Sequence, residues 1–301
     1  MSTGLYGGIE AGGTKFVCLA ARGPDEIVDQ VTFPTTLPAE TIARVNEFFK
    51  PYQKDLAAVG IGSFGPVDLH PESPTYGYIT TTPKPGWAQT DLRGGVMRAL
   101  GIPVAFDTDV NAAAIGEYTF VPENRHCDPL LYITVGTGIG VGVLINGRPL
   151  HGLVHPEVGH MVLPRDPQTD PFSGSCPYHK DCWEGLASGP SMARRWGMPA
   201  DQLPDDHPGW ALEAGYIGQA VANLICAFSP LKIVLGGGVA QHAGLLDAVR
   251  ARVKANLNNY VQSELVLGDM RDYIVSPGLG SRSGSLGAAA MAMRLAENVL
   301  I

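Results

Sequence analysis

Short apolar runs separated by glycine-rich turns form the most regular pattern in the first part of the chain. Residues 5–10 and 15–20 read as two strands joined by such a turn, which predicts a β-hairpin. Residues 39–54 carry apolar side chains at helical spacing, and 56–66 predict a buried strand that runs into a glycine-rich loop. Strands and helices that alternate in this way are typical of an α/β protein.

The rest of the chain continues the alternation. Residues 76–92 have no helical or strand period, so we interpret them as a loop suited to ligand binding. A second glycine hairpin repeats the style of the first, which indicates two similar halves. The other predicted elements are a strand, acidic turn and alanine-rich helix over 102–120, the second hairpin over 130–148, a strand ending in glycines over 232–240, a helix over 243–257, and a small-residue helix from about Leu286.

Composition narrows the class of protein. A chain of 301 residues exceeds the usual span of one hydrophobic core, so we expect two domains or one large α/β unit. Its 45% hydrophobic and 17% charged residues are typical of a folded protein. The net charge of -8 argues against nucleic acid or an anionic membrane as the main partner. Without a membrane-length apolar run or a signal segment, we expect a cytoplasmic protein whose five cysteines are reduced.

Three glycine turns, at 8–15, 136–140 and 236–238, are candidates for binding phosphate. The first is not a P-loop, because Thr14-Lys15 reverses the required order and a strand follows it. The alternating glycines of the second turn miss the dinucleotide fingerprint. Each turn alone is also explained by a tight hairpin. Glycine turns nevertheless direct several backbone N–H groups at one point, so the three together favour a nucleotide cradle.

The acidic turn "AFDTDVN" has two interpretations. Asp107 or Asp109 could serve as the N-cap of the following helix, and this position alone favours that role. Alternatively, Asp109 is a general base at the carboxyl end of a strand, where α/β folds place their chemistry.

The stretch "CPYHKDC" has the spacing of a metal site. Cys176, His179 and Cys182 lie at regular intervals, and His160 stands sixteen residues before the first cysteine. Two thiolates and two imidazoles form a complete tetrahedral set for a structural Zn²⁺. A Cys176–Cys182 disulfide and a catalytic thiol are the alternatives. A bound zinc would tie this loop to the segment that carries Glu157, and would hold Glu184.

Residues 135–160, "VGTGIGVGVLINGRPLHGLVHPEVGH", resemble the signature of the ROK family of sugar kinases. The resemblance extends to the first hairpin, the acidic turn, the cysteine cluster, "LGGGVA" and the terminal small-residue helix. Within the family, "GGIEAGGTKF" and "ITTTPKPGW" are most similar to the fructokinase-like branch. The implied fold is α/β and two-lobed, of the actin, hexokinase and Hsp70 (ribonuclease H-like) type with a cleft between the lobes. The expected lobes are 1–112 with 286–301, and 113–285.

The resemblance also implies an activity. ATP would transfer its γ-phosphoryl group to a hexose, fructose before mannose or glucose, with Mg²⁺ and a structural Zn²⁺ as cofactors. Asp109 would be the general base, and His160 would bind both zinc and sugar. Homodimers are expected. The other implied contacts are Gly65, Thr81, Thr108, Glu157 and Glu184 for the sugar, Gly12, Gly13, Thr14, Lys15, Thr137 and Gly138 for the phosphates, and Gly237 and Gly238 for adenosine.

Two positions depart from the common family pattern. Glu10 stands where many members have Asp, which changes the expected placement of Mg²⁺. Thr108 stands where many have Asn, and it can offer one hydrogen bond to a sugar hydroxyl. Both departures fit the fructokinase-like branch better than glucokinases. Two other classes of function are a sugar-sensing ROK repressor, for which an added helix-turn-helix is expected, and a zinc-binding interaction module, which leaves the glycine turns and Asp109 unexplained.

Overall fold

The computed structural model describes residues 4–298 of the chain, which form an α/β fold. The strands are β1 (Leu5–Ala11), β2 (Lys15–Gly23), β3 (Glu26–Pro34), β4 (Leu56–Ser63), β5 (Tyr78–Ile79), β6 (Thr90–Asp91), β7 (Val104–Thr108), β8 (Leu130–Val135), β9 (Ile139–Ile145), β10 (Arg148–Pro149), β11 (Lys232–Gly236) and β12 (Ile274–Val275). The helices are α1 (Pro38–Phe49), α2 (Leu92–Leu100), α3 (Asp109–Phe120), α4 (Trp183–Ala187), α5 (Gly189–Trp196), α6 (Gly209–Phe228), α7 (Leu245–Leu257), α8 (Glu264–Leu267) and α9 (Ser283–Ala296).

Two five-stranded sheets share one strand order. The first sheet runs β3-β2-β1-β4-β7 and the second runs β10-β9-β8-β11-β12. Numbered along the chain within each sheet, both orders read 3-2-1-4-5. In the first sheet, the central strand β1 pairs antiparallel with β2 on one side and parallel with β4 on the other. In the second sheet, the central strand β8 has β9 on one side and pairs parallel with β11 on the other. The shared order confirms the two similar halves that the paired glycine hairpins predict.

The chain divides into two compact units. The first unit contains the residues up to His126, then Gly142–Pro156, and the chain from Gly278 onward. The second contains Cys127–Val141 and Glu157–Pro277. The lobes expected from the sequence, 1–112 with 286–301 and 113–285, stay a prediction, because compactness does not show which segments move together.

The first sheet is covered on both faces. On β1, Ile9 packs in an apolar cluster with α1 and α2, whereas Tyr6 packs in a second cluster with α9. The approach of α9 is very close: a Cβ atom at Gly60 would lie 1.9 Å from the carbonyl oxygen of Ala288. This contact explains why the last helix is built of small residues.

A buried carboxylate fixes the start of the C-terminal segment. Glu117 on α3 is fully buried and accepts hydrogen bonds from the backbone N–H groups of Gly278 and Leu279, at 3.0 Å each. It also accepts from Ser283 Oγ at 2.8 Å and from Asn124 Nδ2 at 3.1 Å. Four donors thus compensate the carboxylate for its loss of water.

We expect Glu117→Gln to destabilise the first unit by about 2–3 kcal/mol, because the new amide would place N–H donors against donors that now face a carboxylate. Urea unfolding measured by circular dichroism would report the loss. Glu47→Gln, on the exposed side of α1, is the matched control, with an expected change within about 0.5 kcal/mol. Equal stability of the two variants would contradict this role for Glu117.

Several structural elements are not predicted by the sequence patterns. Strand β3 lies at a sheet edge and is mostly exposed, so it lacks a clear alternation. The short pair β5–β6 lies within the predicted loop and is too brief to show a period. Helix α6 is apolar on most sides, and among the described residues it alone is long and apolar enough to cross a membrane. The expectation that the chain has no apolar segment of membrane-spanning length is therefore wrong by length and composition. About half of the most apolar stretch of α6 is buried, as in a core helix.

Candidate functional site

The acidic turn lies between β7 and α3 in the first unit. Thr108 Oγ accepts a hydrogen bond from the backbone N–H of Asn111 at 3.1 Å, so Thr108 is the N-cap of α3. The prediction that Asp107 or Asp109 caps this helix is therefore wrong. Asp109 is the half-buried first residue of α3, and its Oδ1 accepts from the N–H of Val110 at 2.9 Å. The threonine hydroxyl satisfies the helix end, and it keeps its own proton as a donor.

Three predicted site segments lie at one edge of the first sheet. The parallel registers pair Ala11 with Ser63 and Ser63 with Thr108. Three predicted site residues come shortly after these positions: Gly12, Gly65 and Asp109. They therefore lie just beyond the carboxyl ends of three adjacent parallel strands, at the same level. Such an edge is where α/β sheets bind ligands.

The first glycine turn joins β1 to β2. The N–H of Gly12 donates to the carbonyl of Lys15 at 3.0 Å, and a Cβ atom at Gly12 would clash with that oxygen. Gly13 has open space around it, and Thr14 and Lys15 are exposed. The turn is thus a tight hairpin with an accessible tip, which is compatible with both interpretations given to it above.

Glu10 is in β1, two residues before Gly12, and is half-buried. Burial raises the pKa of its carboxyl group above the ordinary value. The charge of Lys15 and the hydrogen bond from the backbone N–H of Ser285 oppose this effect only in part. Glu10 therefore also lies at the N-terminus of α9, where a carboxylate is favourable.

The predicted loop residue Thr81 lies in an exposed bend between β5 and β6. Trp87 anchors this loop: its side chain is fully buried against Phe16 and Phe64, and its indole N–H donates to the carbonyl of Thr36 at 2.8 Å. A fixed tryptophan with an exposed segment before it is the geometry expected of a binding loop.

Two histidines of the first unit were not predicted. His151 Nε2 lies 2.9 Å from Oδ2 of the fully buried Asp107, and this hydrogen bond raises the pKa of His151. His155 is buried, and desolvation lowers its pKa. The sequence offered one signal for them, the two histidines in "LHGLVHPE", but their partners lie far away in the chain.

The second and third glycine turns come together in the second unit. They follow the parallel strands β8 and β11. Gly237 has φ of +92°, and a Cβ atom there would lie 2.3 Å from the carbonyl oxygen of Val135, so only glycine fits. Thr137 is exposed at the tip of its turn, and Gly238 has open space around it.

The four predicted metal ligands converge in the same unit. The ligand atoms of His160, Cys176, His179 and Cys182 all lie within 4.8 Å of one another. His160 Nδ1 lies 3.8 Å from Cys176 Sγ and 3.5 Å from Cys182 Sγ, and His179 Nδ1 lies 3.7 Å from Cys176 Sγ. A thiolate and an imidazole on one tetrahedral zinc are separated by about 3.5 Å, given the usual Zn–S and Zn–N bond lengths. The donor set therefore fits Zn²⁺.

The alternative chemistry of this loop does not agree with the structure. All five cysteines lie within residues 4–298, and none of them forms a disulfide, so the Cys176–Cys182 pairing is contradicted. Cys176 and Cys182 are both buried. A buried thiol beside two imidazoles suits a metal ligand better than a reactive nucleophile.

Glu184 joins the metal loop to the second glycine turn. It lies in the first turn of α4, directly after the fully buried Trp183. Its Oε2 accepts from the backbone N–H of Ile139 at 3.0 Å, and a Cβ atom at Gly138 would lie 2.8 Å from that oxygen. One carboxylate oxygen thus has a structural role that the sequence did not reveal.

Glu157 is the second carboxylate of this region. The residue is exposed at the surface, yet neighbouring protein crowds its carboxylate. The resulting desolvation, together with the negative charge of Glu184, raises its pKa to about 7. A carboxyl group in this range can exchange a proton near neutral pH.

Known proteins resemble this chain over nearly its whole length. The ROK family model matches residues 6–295. A putative fructokinase of Bacillus subtilis is 49% identical over 288 residues, which cover 96% of this chain and 95% of the relative. A fructokinase of Streptococcus mutans is 44% identical over 295 residues, covering 97% of this chain and 98% of the relative.

Solved structures share the fold. The crystal structure of a ROK hexokinase from Thermus thermophilus superposes with a TM-score of 0.77 at 26% identity, covering 98% of this chain and 99% of the other. The expected actin and hexokinase type of α/β fold is confirmed by this neighbour and by the shared order of the two sheets.

Proposed function

The chain belongs to the ROK family, and from that premise we propose that it is an ATP-dependent hexose kinase that converts D-fructose to D-fructose 6-phosphate. The identity of 49% and 44% with two fructokinase-named relatives over nearly the full length supports the kinase class and the sugar. One structural observation carries the proposal. Gly12, Gly65 and Asp109 lie just beyond the carboxyl ends of three adjacent parallel strands, at one edge of the first sheet.

The first unit would supply the base and part of the sugar contacts. Asp109 takes the proton of the attacking hydroxyl as that oxygen bonds to the γ-phosphorus, while the bond from this phosphorus to the β–γ bridging oxygen breaks and ADP leaves. Thr108 offers its hydroxyl proton to the sugar, and Gly65 and Thr81 contribute loop contacts. The turn from Gly12 to Lys15 holds phosphate oxygens with backbone N–H groups. Mg²⁺, when bound, offsets the charge of the phosphates, and Glu10 is the nearby carboxylate that would orient its water.

The second unit would supply the other sugar and nucleotide contacts. Glu157, His160 and Glu184 bind sugar hydroxyls, with one oxygen of Glu184 already used by the backbone of Ile139. Thr137 and Gly138 face the phosphates, and Gly237 and Gly238 face the adenosine. Two glycine turns that meet at the carboxyl ends of β8 and β11 support this assignment.

The metal would be structural. His160, Cys176, His179 and Cys182 would hold Zn²⁺ with four protein ligands, a set typical of structural rather than catalytic zinc. His160 uses Nδ1 toward the sulfur atoms, which leaves Nε2 as its sugar contact. A cytoplasmic location and a homodimer belong to the same proposal, as does the absence of nucleic acid or membrane as a partner.

A hexose panel tests the function. We expect ADP release to require a hexose, with kcat/KM for fructose at least about tenfold above that for mannose or glucose, because a pocket built to bond particular hydroxyls rejects misplaced ones. A coupled ADP assay gives the rates, and ³¹P and ¹³C NMR of the product locate the phosphate. Water alone as acceptor is the control. ADP release that does not respond to any hexose would contradict the kinase proposal, and a preference for glucose would contradict only the sugar.

A further inference from the structure

One loop of the first unit contacts two of the segments that carry predicted site residues, the acidic turn and the segment after Gly65. This loop, which we call the histidine loop, consists of residues 150–156, and it leads directly into Glu157. It also lines a pocket of about 210 Å³ together with residues 66–70 and Thr80. The kinase proposal gives the loop no role of its own, although it holds two of the eight histidines of the chain.

His151 acts on the acidic turn through Asp107. The fully buried Asp107 accepts from the N–H of Thr108 and from Asn111 Nδ2 with Oδ1, at 2.7 Å each. Its Oδ2 lies 2.9 Å from His151 Nε2. Without His151, this oxygen would be a buried acceptor with a missing donor. Because Asp107 holds both Thr108 and the first turn of α3, its position sets that of Asp109, the next residue but one.

His155 acts on the Gly65 segment. Its Nε2 accepts a hydrogen bond from the backbone N–H of Val67 at 3.2 Å, and Val67 is buried. Its ring lies 3.4 Å from the place that a Cβ atom at Gly65 would occupy. An acceptor at Nε2 requires an uncharged ring, and burial, which lowers the pKa of His155, favours that state.

The two histidines therefore make opposite bonds: His151 donates to a carboxylate and His155 accepts from an amide. We propose that both are positioning residues, His151 for the base segment at Asp109 and His155 for the sugar-binding segment at Gly65. This inference rests on the proposed kinase function. Neither imidazole needs to touch the substrate, because each holds a backbone segment on which a proposed substrate contact lies.

The experiment compares donor-keeping and donor-lacking variants. His151→Gln keeps an N–H that can reach Asp107, whereas His151→Leu and the shorter His151→Asn do not. We expect the last two to lower kcat about tenfold or more while KM for ATP stays within twofold, and Gln to restore most of the loss. We expect His155→Leu to raise KM for the hexose about tenfold. His155→Gln, whose amide oxygen can accept from the N–H of Val67, should keep this KM near the wild-type value. His126→Asn, which removes an exposed imidazole, is the control.

A second measurement does not depend on turnover. Hydrogen exchange at the amides of Asn111 and Val67 should quicken at least about tenfold in the Leu variants and remain near wild type in the Gln variants. The inference is wrong if the Leu variants only lower the melting temperature, or if Gln and Leu behave alike in kcat, KM and exchange. Failure of the kinase proposal would appear instead in the wild-type protein, as turnover without dependence on hexose.

Discussion

Asp109→Asn is expected to lower kcat by a factor between about 10² and 10⁴, the usual contribution of a general base. The amide has nearly the shape of the carboxylate but cannot accept the proton of the attacking hydroxyl. KM for the hexose should change much less, because Asn can still hydrogen-bond a hydroxyl group. Steady-state kinetics with the coupled ADP assay gives both constants.

The structure indicates that this substitution removes the proposed base without disturbing the turn around it. Thr108 caps α3, and Asp107 organises the turn, so Asp109 carries neither of these stabilising roles. We therefore expect the variant to melt within a few degrees of the wild type. Thr108→Ser, which keeps the capping hydroxyl, is the control for disturbance of the turn and should retain most of its kcat. An Asp109→Asn protein with kcat within tenfold of wild type would remove Asp109 from the role of base.

The second large effect concerns the metal. Cys182→Ser should reduce bound zinc from about one ion per chain to nearly none and lower the melting temperature by about 10 °C, since structural zinc contributes several kcal/mol to folding. A hydroxyl group is a poor replacement for a buried thiolate ligand. Elemental analysis and differential scanning calorimetry provide the two readouts, and a chelator applied to the wild type should reproduce the loss of stability.

Turnover should fall with the metal. Cys182 is followed by Trp183 and then by Glu184, whose carboxylate holds the backbone of Ile139 beside the second glycine turn. A loosened loop therefore displaces a proposed sugar contact and a proposed phosphate turn together. Cys226→Ser, at an exposed cysteine outside the cluster, should leave zinc content, melting temperature and kcat unchanged. Full activity in a zinc-free Cys182→Ser protein would show that the metal does not support the site.

The sequence predicts the local parts of the site and misses the bonds between distant segments. The hairpin at 5–20, the strand and helix around Asp109 and the four metal ligands were all visible, because each depends on a short spacing. The sequence favours an aspartate as the N-cap of α3, whereas the neighbouring threonine forms this cap in the structure. Three residues in a row can each cap a helix, and only the backbone direction decides between them.

Long-range contacts leave no comparable pattern. His151 and Asp107 are 44 residues apart, and Glu117 and Gly278 are 161 apart. A single chain shows that His and Glu occur, but not which partner satisfies them. The same holds for β3 and α6. The form of β3 depends on its position at a sheet edge, and that of α6 depends on packing on several sides, rather than on a period of their own.

Helix α9 also has a consequence for how the protein is made. It covers the face of the first sheet at which Gly8 and Gly60 lie, and among the described helices it is the last to be synthesised. During synthesis, the strands of the first sheet have one apolar face open to water until α9 has been translated. A nascent chain that exposes such an apolar face is prone to aggregation until α9 covers it. A chain that stops before α9 should therefore aggregate rather than form a shortened enzyme.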